Sequence, residues 1–179
     1  FLYALQPQNN LQNQYVRLPK RIEITMDLEK AIDRSELIII AILSQGMREL
    51  CQKISEFKPK GKIILIATKG IEKKTGLTMS QVVRGVFGNN LKVAVLAGPA
   101  FPETIVRRKR TWLVIANQDK NLSINLAQIF TSQFLKINIS EDLIGVELGA
   151  AAKNVVSVLN GICDGLSEEN LRAVLVTSS

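Results

Sequence analysis

The chain has 179 residues, of which 46% are hydrophobic and 22% charged, with a formal net charge of +7 and no histidine. A composition of this kind belongs to a folded globular chain with room for one domain and the start of another, and it excludes a disordered one. Without histidine the commonest general acid and metal ligand is missing, and Cys51 and Cys163 stand alone without a ligand spacing, so no metal is expected.

Residues 1–20 are rich in Gln and Asn, are punctuated by Pro7 and Pro19, and read mostly as loop. A short strand is expected at Arg21 to Thr25, then a helix from the N-cap Asp27 through Arg34, with Glu29 favourably placed in its first turn. Glu36 to Leu43, ELIIIAIL, is a continuous apolar run, the pattern of a strand covered on both faces by helices. Ser44 can cap the helix that follows, Gln45 to Phe57. A second such strand, Lys62 to Thr68, ends in Lys69-Gly70. A helix near Thr78 to Phe87, a strand at Lys92 to Ala97 and the turn Gly98-Pro99-Ala100-Phe101 come next. A strand at Thr111 to Asn117, a helix near Leu122 to Ser132 and a strand at Leu135 to Ile139 complete the series. Strands alternating with helices predict βαβ units, an α/β fold and a largely parallel sheet. Near Ser140 the pattern changes to helix alone.

Ligands of such sheets bind outside the carboxyl ends of the strands. Four features are expected there: Ser44-Gln45, Lys69-Gly70, the turn from Gly98 to Phe101, and Asn117. Each is also an ordinary strand-to-helix turn. Glycine at 70 and 98 lets a ligand approach the backbone closely, and Lys69 supplies positive charge for a phosphate or a polarised oxygen. The dense basic run Arg107-Arg108-Lys109-Arg110 has no interleaved aromatic residue and reads as a solvated turn. A small phosphorylated substrate or a nucleotide cofactor suits the modest positive balance at least as well as nucleic acid, and charge alone does not choose between them; nucleic acid is not expected as a partner.

Asp142 to Leu166 reads as one long helix carrying a single lysine. At 3.6 residues per turn Ile144, Leu148, Ala151, Val155, Val158, Ile162 and Leu166 form an apolar face, expected to be the packed back of the helix. Gly149, Lys153, Ser157, Asn160 and Asp164 share the other side, which is expected to line a cleft. In such apolar surroundings Lys153 could exchange a proton with a ligand, or it could simply extend to water from the helix edge. The length also approaches that of a bilayer span. Glu147, Lys153, Asn154 and Asn160 count against that reading, and no membrane span is expected. Phe1 to Pro19 lacks the charged start and apolar run of a secretory leader, and a cytoplasmic setting is the default. No G-x-G-x-x-G turn occurs, so the unit that opens a dinucleotide-binding sheet is expected to be missing.

Three stretches carry a resemblance: Ile63 to Glu72 (IILIATKGIE), Val93 to Phe101 (VAVLAGPAF) and Leu143 to Leu166 (LIGVELGAAAKNVVSVLNGICDGL). With ATKG, GP-x-F and IGVELG-A-x-KNV in this order, the chain resembles the NAD(P)-dependent glycerol-3-phosphate dehydrogenases from about Tyr15 onward. The resemblance implies a Rossmann-like nucleotide-binding domain over 1–140 that lacks its first βα unit, and the beginning of an all-helical substrate domain over 141–179. It implies reduction of dihydroxyacetone phosphate to glycerol 3-phosphate with NADPH or NADH, feeding phospholipid synthesis. Lys153 would be the proton-transferring residue, and Lys69, Gly98, Ala100 and Asn154 would join it around the substrate. Ser44, Lys69 and Pro102 would contact the cofactor. The family has a serine or threonine where Ala100 stands and a small residue at Pro102. Its remaining substrate-binding segments would lie beyond Ser179. The isolated chain is therefore expected to be inactive, and a homodimer is compatible with the pattern. The second reading is a non-catalytic relic that persists as a folded binding or interaction module.

Overall fold

The computed structural model of the chain describes residues 2–3, 19–100 and 102–166. Strands β1 (Leu2–Tyr3) and β2 (Ile24–Thr25) pair in parallel as a small separate ribbon. Leu2–Tyr3 thus interrupts the expected N-terminal loop, and the strand expected from Arg21 is confined to its last two residues. Helix α1 (Leu28–Asp33) starts where Asp27 accepts a hydrogen bond from the Lys30 amide at 3.0 Å, as its N-cap position requires.

The main sheet runs in the order β3 (Leu37–Ile40), β4 (Ile63–Ile66), β5 (Lys92–Ala97), β6 (Thr111–Ala116), β7 (Leu135–Ser140). β3, β4 and β5 are parallel, with Ile38 beside Ile64 and Ile64 beside Val93. Alternate side chains enter two cores. Ile40, Ile64, Ile66, Val93 and Val95 meet α1, α2 (Met47–Glu56), α3 (Met79–Phe87) and the start of α6 (Leu143–Gly165) on one face. Leu65, Ala94 and Ile115 meet Leu122 and Leu126 of α5 (Lys120–Phe130) on the other. Helix α2 shows why the sequence folds this way: Met47, Leu50, Cys51 and Ile54 fall on one stripe and are all buried.

Two expectations about the strands are corrected. β3 is not covered on both faces: Ile39 is 50% exposed, because α5 covers the second face nearer β6 and β7. More consequentially, β6 runs antiparallel to β5, with Val95 opposite Ala116 and Ala97 opposite Val114. A parallel return needs a crossover as long as the strands, whereas the link from Gly98 to Arg110 contains only α4 (Pro102–Val106), about 7.5 Å of helix. The link therefore stays at the carboxyl edge and the chain turns back. β7 then follows β6 in parallel through α5.

Asn117 is moved by this reversal to the edge opposite the expected one. Its side-chain amide donates to the Val93 carbonyl, at the start of β5, and its oxygen accepts from the Asp119 amide. It closes the amino edge, away from the turns that follow β3, β4 and β5.

Helix α6 departs from expectation in which face it packs. The predicted apolar back is bare, with Val155 62%, Val158 64% and Leu166 67% exposed. Leu143, Val146 and Ala150 rest on the core instead, and Glu147 and Cys163 are buried. By length and composition alone α6 is also apolar enough to cross a bilayer.

Candidate active site

Three chain segments end at the carboxyl edge of β3, β4 and β5. After β3, Ser44 opens a 3-10 turn, Ser44–Gly46, rather than capping α2 directly; the turn has no side-chain cap. After β4, Thr68 is buried and ties the two strand ends together, accepting from the Ile42 amide at 3.0 Å and donating to the Ile40 carbonyl at 3.3 Å. Gly70 follows with φ 128°, and a side chain there would stand 2.8 Å from the Ser44 Oγ. The cradle at this turn closes only around a hydrogen atom.

The loop carrying Lys69 is held from below. The Arg48 guanidinium grips Glu72 with two hydrogen bonds of 2.8 Å, and Thr75 donates to the same carboxylate. Arg48, with Thr75, holds the Glu72 carboxyl far below the usual carboxylate range, at about 2. Gln45 spans from the Ile71 carbonyl to the Lys73 amide at 2.9 and 3.1 Å, and Ile71 forms a bridge to Thr78. Lys69 is thereby presented on a braced turn.

A cleft of about 790 Å³ opens between the end of β5, the neighbouring β6 and α6. Ala97, Gly98, Pro99 and Val114 form the sheet wall; Val146, Gly149, Ala150, Lys153, Val156 and Ser157 form the helix wall. Gly98, at φ 141°, sits so close to β6 that a Cβ would meet the Trp112 carbonyl oxygen at 3.0 Å. Lys69 is exposed on its turn, outside the lining of this cleft. Partial burial of its amine and the positive charge of Lys153 both lower its pKa from the ordinary lysine value. Lys153 on the helix wall and Lys69 on the neighbouring turn place positive charge beside glycine-lined backbone, which suits an anionic, oxygen-rich ligand.

Among the predicted site residues, Gly98 and Lys153 share this cleft, Lys69 is electrostatically coupled to it, and Ser44 lies against Gly70. Asn154 is exposed and does not line it; neither does the half-buried Ala100. Pro102 opens α4, but its side chain, like all of Phe101, lies outside the described residues. Among the described residues no three metal-binding side chains gather.

One group was missed in the sequence. Glu147 is buried and reaches α3, where its oxygens accept from the Ser80 amide at 2.7 Å and the Ser80 hydroxyl at 2.5 Å. It fastens α6, and with it the lysine-bearing wall, to the helix beneath the sheet edge. Its only signal in the sequence is a carboxylate in the otherwise apolar first turns of the helix.

Residues 5–123 match the family model described as NAD-dependent glycerol-3-phosphate dehydrogenase N-terminus, and residues 142–179 match its C-terminus counterpart. The chain belongs to the NAD-dependent glycerol-3-phosphate dehydrogenase family. Glycerol-3-phosphate dehydrogenase [NAD(P)+] of Thermoanaerobacter sp. (strain X514) is 36% identical over 163 residues, which cover 90% of this chain and 49% of that protein. The corresponding protein of Thioalkalivibrio sulfidiphilus is 34% identical over 160 residues, 89% of this chain and 48% of its own. A crystal structure of glycerol-3-phosphate dehydrogenase from Coxiella burnetii superposes with a TM-score of 0.81 at 26% identity, covering 92% of this chain and 50% of that one. The chain spans about half the length of the curated relatives it matches.

Proposed function

We propose that this chain carries the nucleotide-binding half and the catalytic lysine of an enzyme that reduces dihydroxyacetone phosphate to glycerol 3-phosphate with NADH or NADPH. The observation that carries the reading is the cleft in which Lys153 on α6 faces Gly98 at the carboxyl end of β5. The glycine cradles at 70 and 98 fit close approach of a flat ring or a phosphate to the backbone. Ser44, Lys69 and the start of α4 at Pro102 would hold the dinucleotide along this edge, and when bound it supplies the hydride.

Lys153 donates a proton to the substrate carbonyl oxygen in the reductive direction and takes it back in the oxidative one. Lys69 neutralises developing negative charge on that oxygen or on the phosphate. The Gly98 turn supplies backbone against which the three-carbon substrate lies, and Asn154 joins the site only if the helix wall is completed by further chain. The bare stripe of α6 supports this: we assign 1–140 to the nucleotide-binding domain and 141–179 to the first part of a helical substrate domain whose remainder covers Val155, Val158 and Ile162. Helix α6 packs on the sheet and spans no membrane. The free, buried Cys51 and Cys163 suit a cytoplasmic setting, with the product entering glycerophospholipid synthesis.

The isolated 179-residue chain is expected to be inactive. The test is oxidation of NADPH dependent on dihydroxyacetone phosphate, by this chain alone and by the chain extended to the length of its relatives, each with Lys153→Met. Activity in the extended protein that is lost with Lys153→Met supports the reading. An extended protein that is inert but folded supports the relic reading instead.

A further inference from the structure

The basic run that reads as a solvated turn lies at the same sheet edge as the cleft. Because β6 reverses direction, Arg107 to Arg110 stay at the carboxyl edge, between the end of α4 and the start of β6. Gly98, on the cleft wall, touches Leu113, and Arg110 is three residues from Leu113 along the strand, about 10 Å at strand spacing. All four cations are exposed, and among the described residues none forms an ion pair. Glu103, one turn back on α4, is the nearest carboxylate in sequence. Trp112 is 51% exposed and shares its strand face with Val114, which lines the cleft.

The backbone adds a second observation. α4 ends with the Arg108 amide donating to the Ile105 carbonyl and the Lys109 amide to that of Thr104, both at 2.9 Å. This turn puts Arg108 at φ 53°, the left-handed position at which helices ordinarily end in glycine. An arginine stands where glycine would be unstrained, and the basic run is continuous through the turn.

We propose that Arg107, Arg108, Lys109 and Arg110 form a cationic collar that captures phosphate-bearing small molecules and delivers them to Lys69 and Lys153. Arg110, about 10 Å from Leu113 along the strand, lies about one Debye length from the cleft wall at 0.1 M salt and well within it in dilute buffer. Fields of this kind raise association rates by about 10-fold or more. The collar takes its natural ligand from the dehydrogenase reading, but its test involves no turnover, so either can fail without the other.

The test compares the chain with its Arg107→Gln, Arg108→Gln, Lys109→Gln, Arg110→Gln variant. Trp112 is the single tryptophan, so its fluorescence reports this sheet edge alone. In low salt the variant should lose at least half of its quenching by iodide, gain in quenching by caesium, and keep its quenching by neutral acrylamide. In the second arm, pyridoxal 5′-phosphate and pyridoxal form imines with lysine, which borohydride traps and peptide mass mapping locates. The rate ratio of the two reagents at Lys69 and Lys153 should fall at least threefold in the variant and lose its salt dependence. The single variant Arg108→Gly should raise the Tm by about 2–4 °C while lowering the same ratio, which separates charge from folding. Unchanged iodide quenching and an unchanged reagent ratio in the folded fourfold variant would overturn the proposal.

Discussion

Replacing Glu147 with alanine should destabilise the chain by about 3–5 kcal/mol. The carboxylate is buried and accepts two hydrogen bonds, at 2.7 and 2.5 Å, from the amide and hydroxyl of Ser80. Hydrogen bonds to a charged group contribute about 1.5–3 kcal/mol each, and the partners left behind have no water to turn to. The carboxylate also sits at the N-terminus of α3, where a negative charge adds up to about 1 kcal/mol. Ser80→Ala removes only the hydroxyl and should cost about half as much. Since both substitutions break the same contact, the double variant should cost no more than about 0.5 kcal/mol beyond Glu147→Ala. Urea unfolding followed by far-ultraviolet circular dichroism measures all four corners of the cycle. Hydrogen exchange adds a spatial readout: α6 amides should lose protection before those of β4. If Glu147→Ala costs less than 1 kcal/mol, or if the two substitutions are additive, the carboxylate does not fasten α6.

The other expectations follow from the same geometry. Glu72 has its carboxyl held at about 2 by Arg48, so its contribution to stability is complete above the unfolded carboxylate range and is lost as the pH falls toward 2. Glu72→Gln should therefore lower the urea midpoint several times more at pH 7 than at pH 2.5; a gap of equal size at both would refute the ion pair as its source. Lys153→Met should raise the Lys69 pKa toward the ordinary lysine value, leaving the part of its lowering due to burial; NMR of reductively methylated lysines reads this directly, and an unmoved Lys69 would mean the two amines do not interact. Gly98→Ala places a Cβ 3.0 Å from the Trp112 carbonyl oxygen in a conformation that L-residues rarely adopt, and should cost about 1–3 kcal/mol in the same urea assay.

Strand existence was legible because β3, β4 and β5 are continuous runs of Ile, Leu, Val and Ala, which have no other way to be buried at that length. Strand direction was not. Nothing in Thr111 to Ala116 distinguishes a strand that runs with β5 from one that runs against it; the shortness of α4 decides, and α4 was concealed in a segment read as turn and charge. The periodicity of α6 likewise located an apolar stripe but not its use, since a stripe looks the same whether its partner lies in this chain or elsewhere. The motifs single out Lys153 and Gly98, and the structure places both on the walls of one cleft. Glu147 could not be read, because its partner Ser80 is 67 residues away and joins it only after α3 and α6 have both packed.

The reversal at β6 also divides the molecule into a face for chemistry and a face for handling. Ser44, Lys69, Gly98 and the four cations before β6 all gather at one rim, while the turns at Lys58 to Gly61 and Gly88 to Asn90 lie at the other. Dyes, affinity tags or tethering points introduced in those distal turns would stay a full strand length from the cleft. A sensor built on this scaffold can therefore be attached to a surface by one rim and still present the other, unobstructed, to solution.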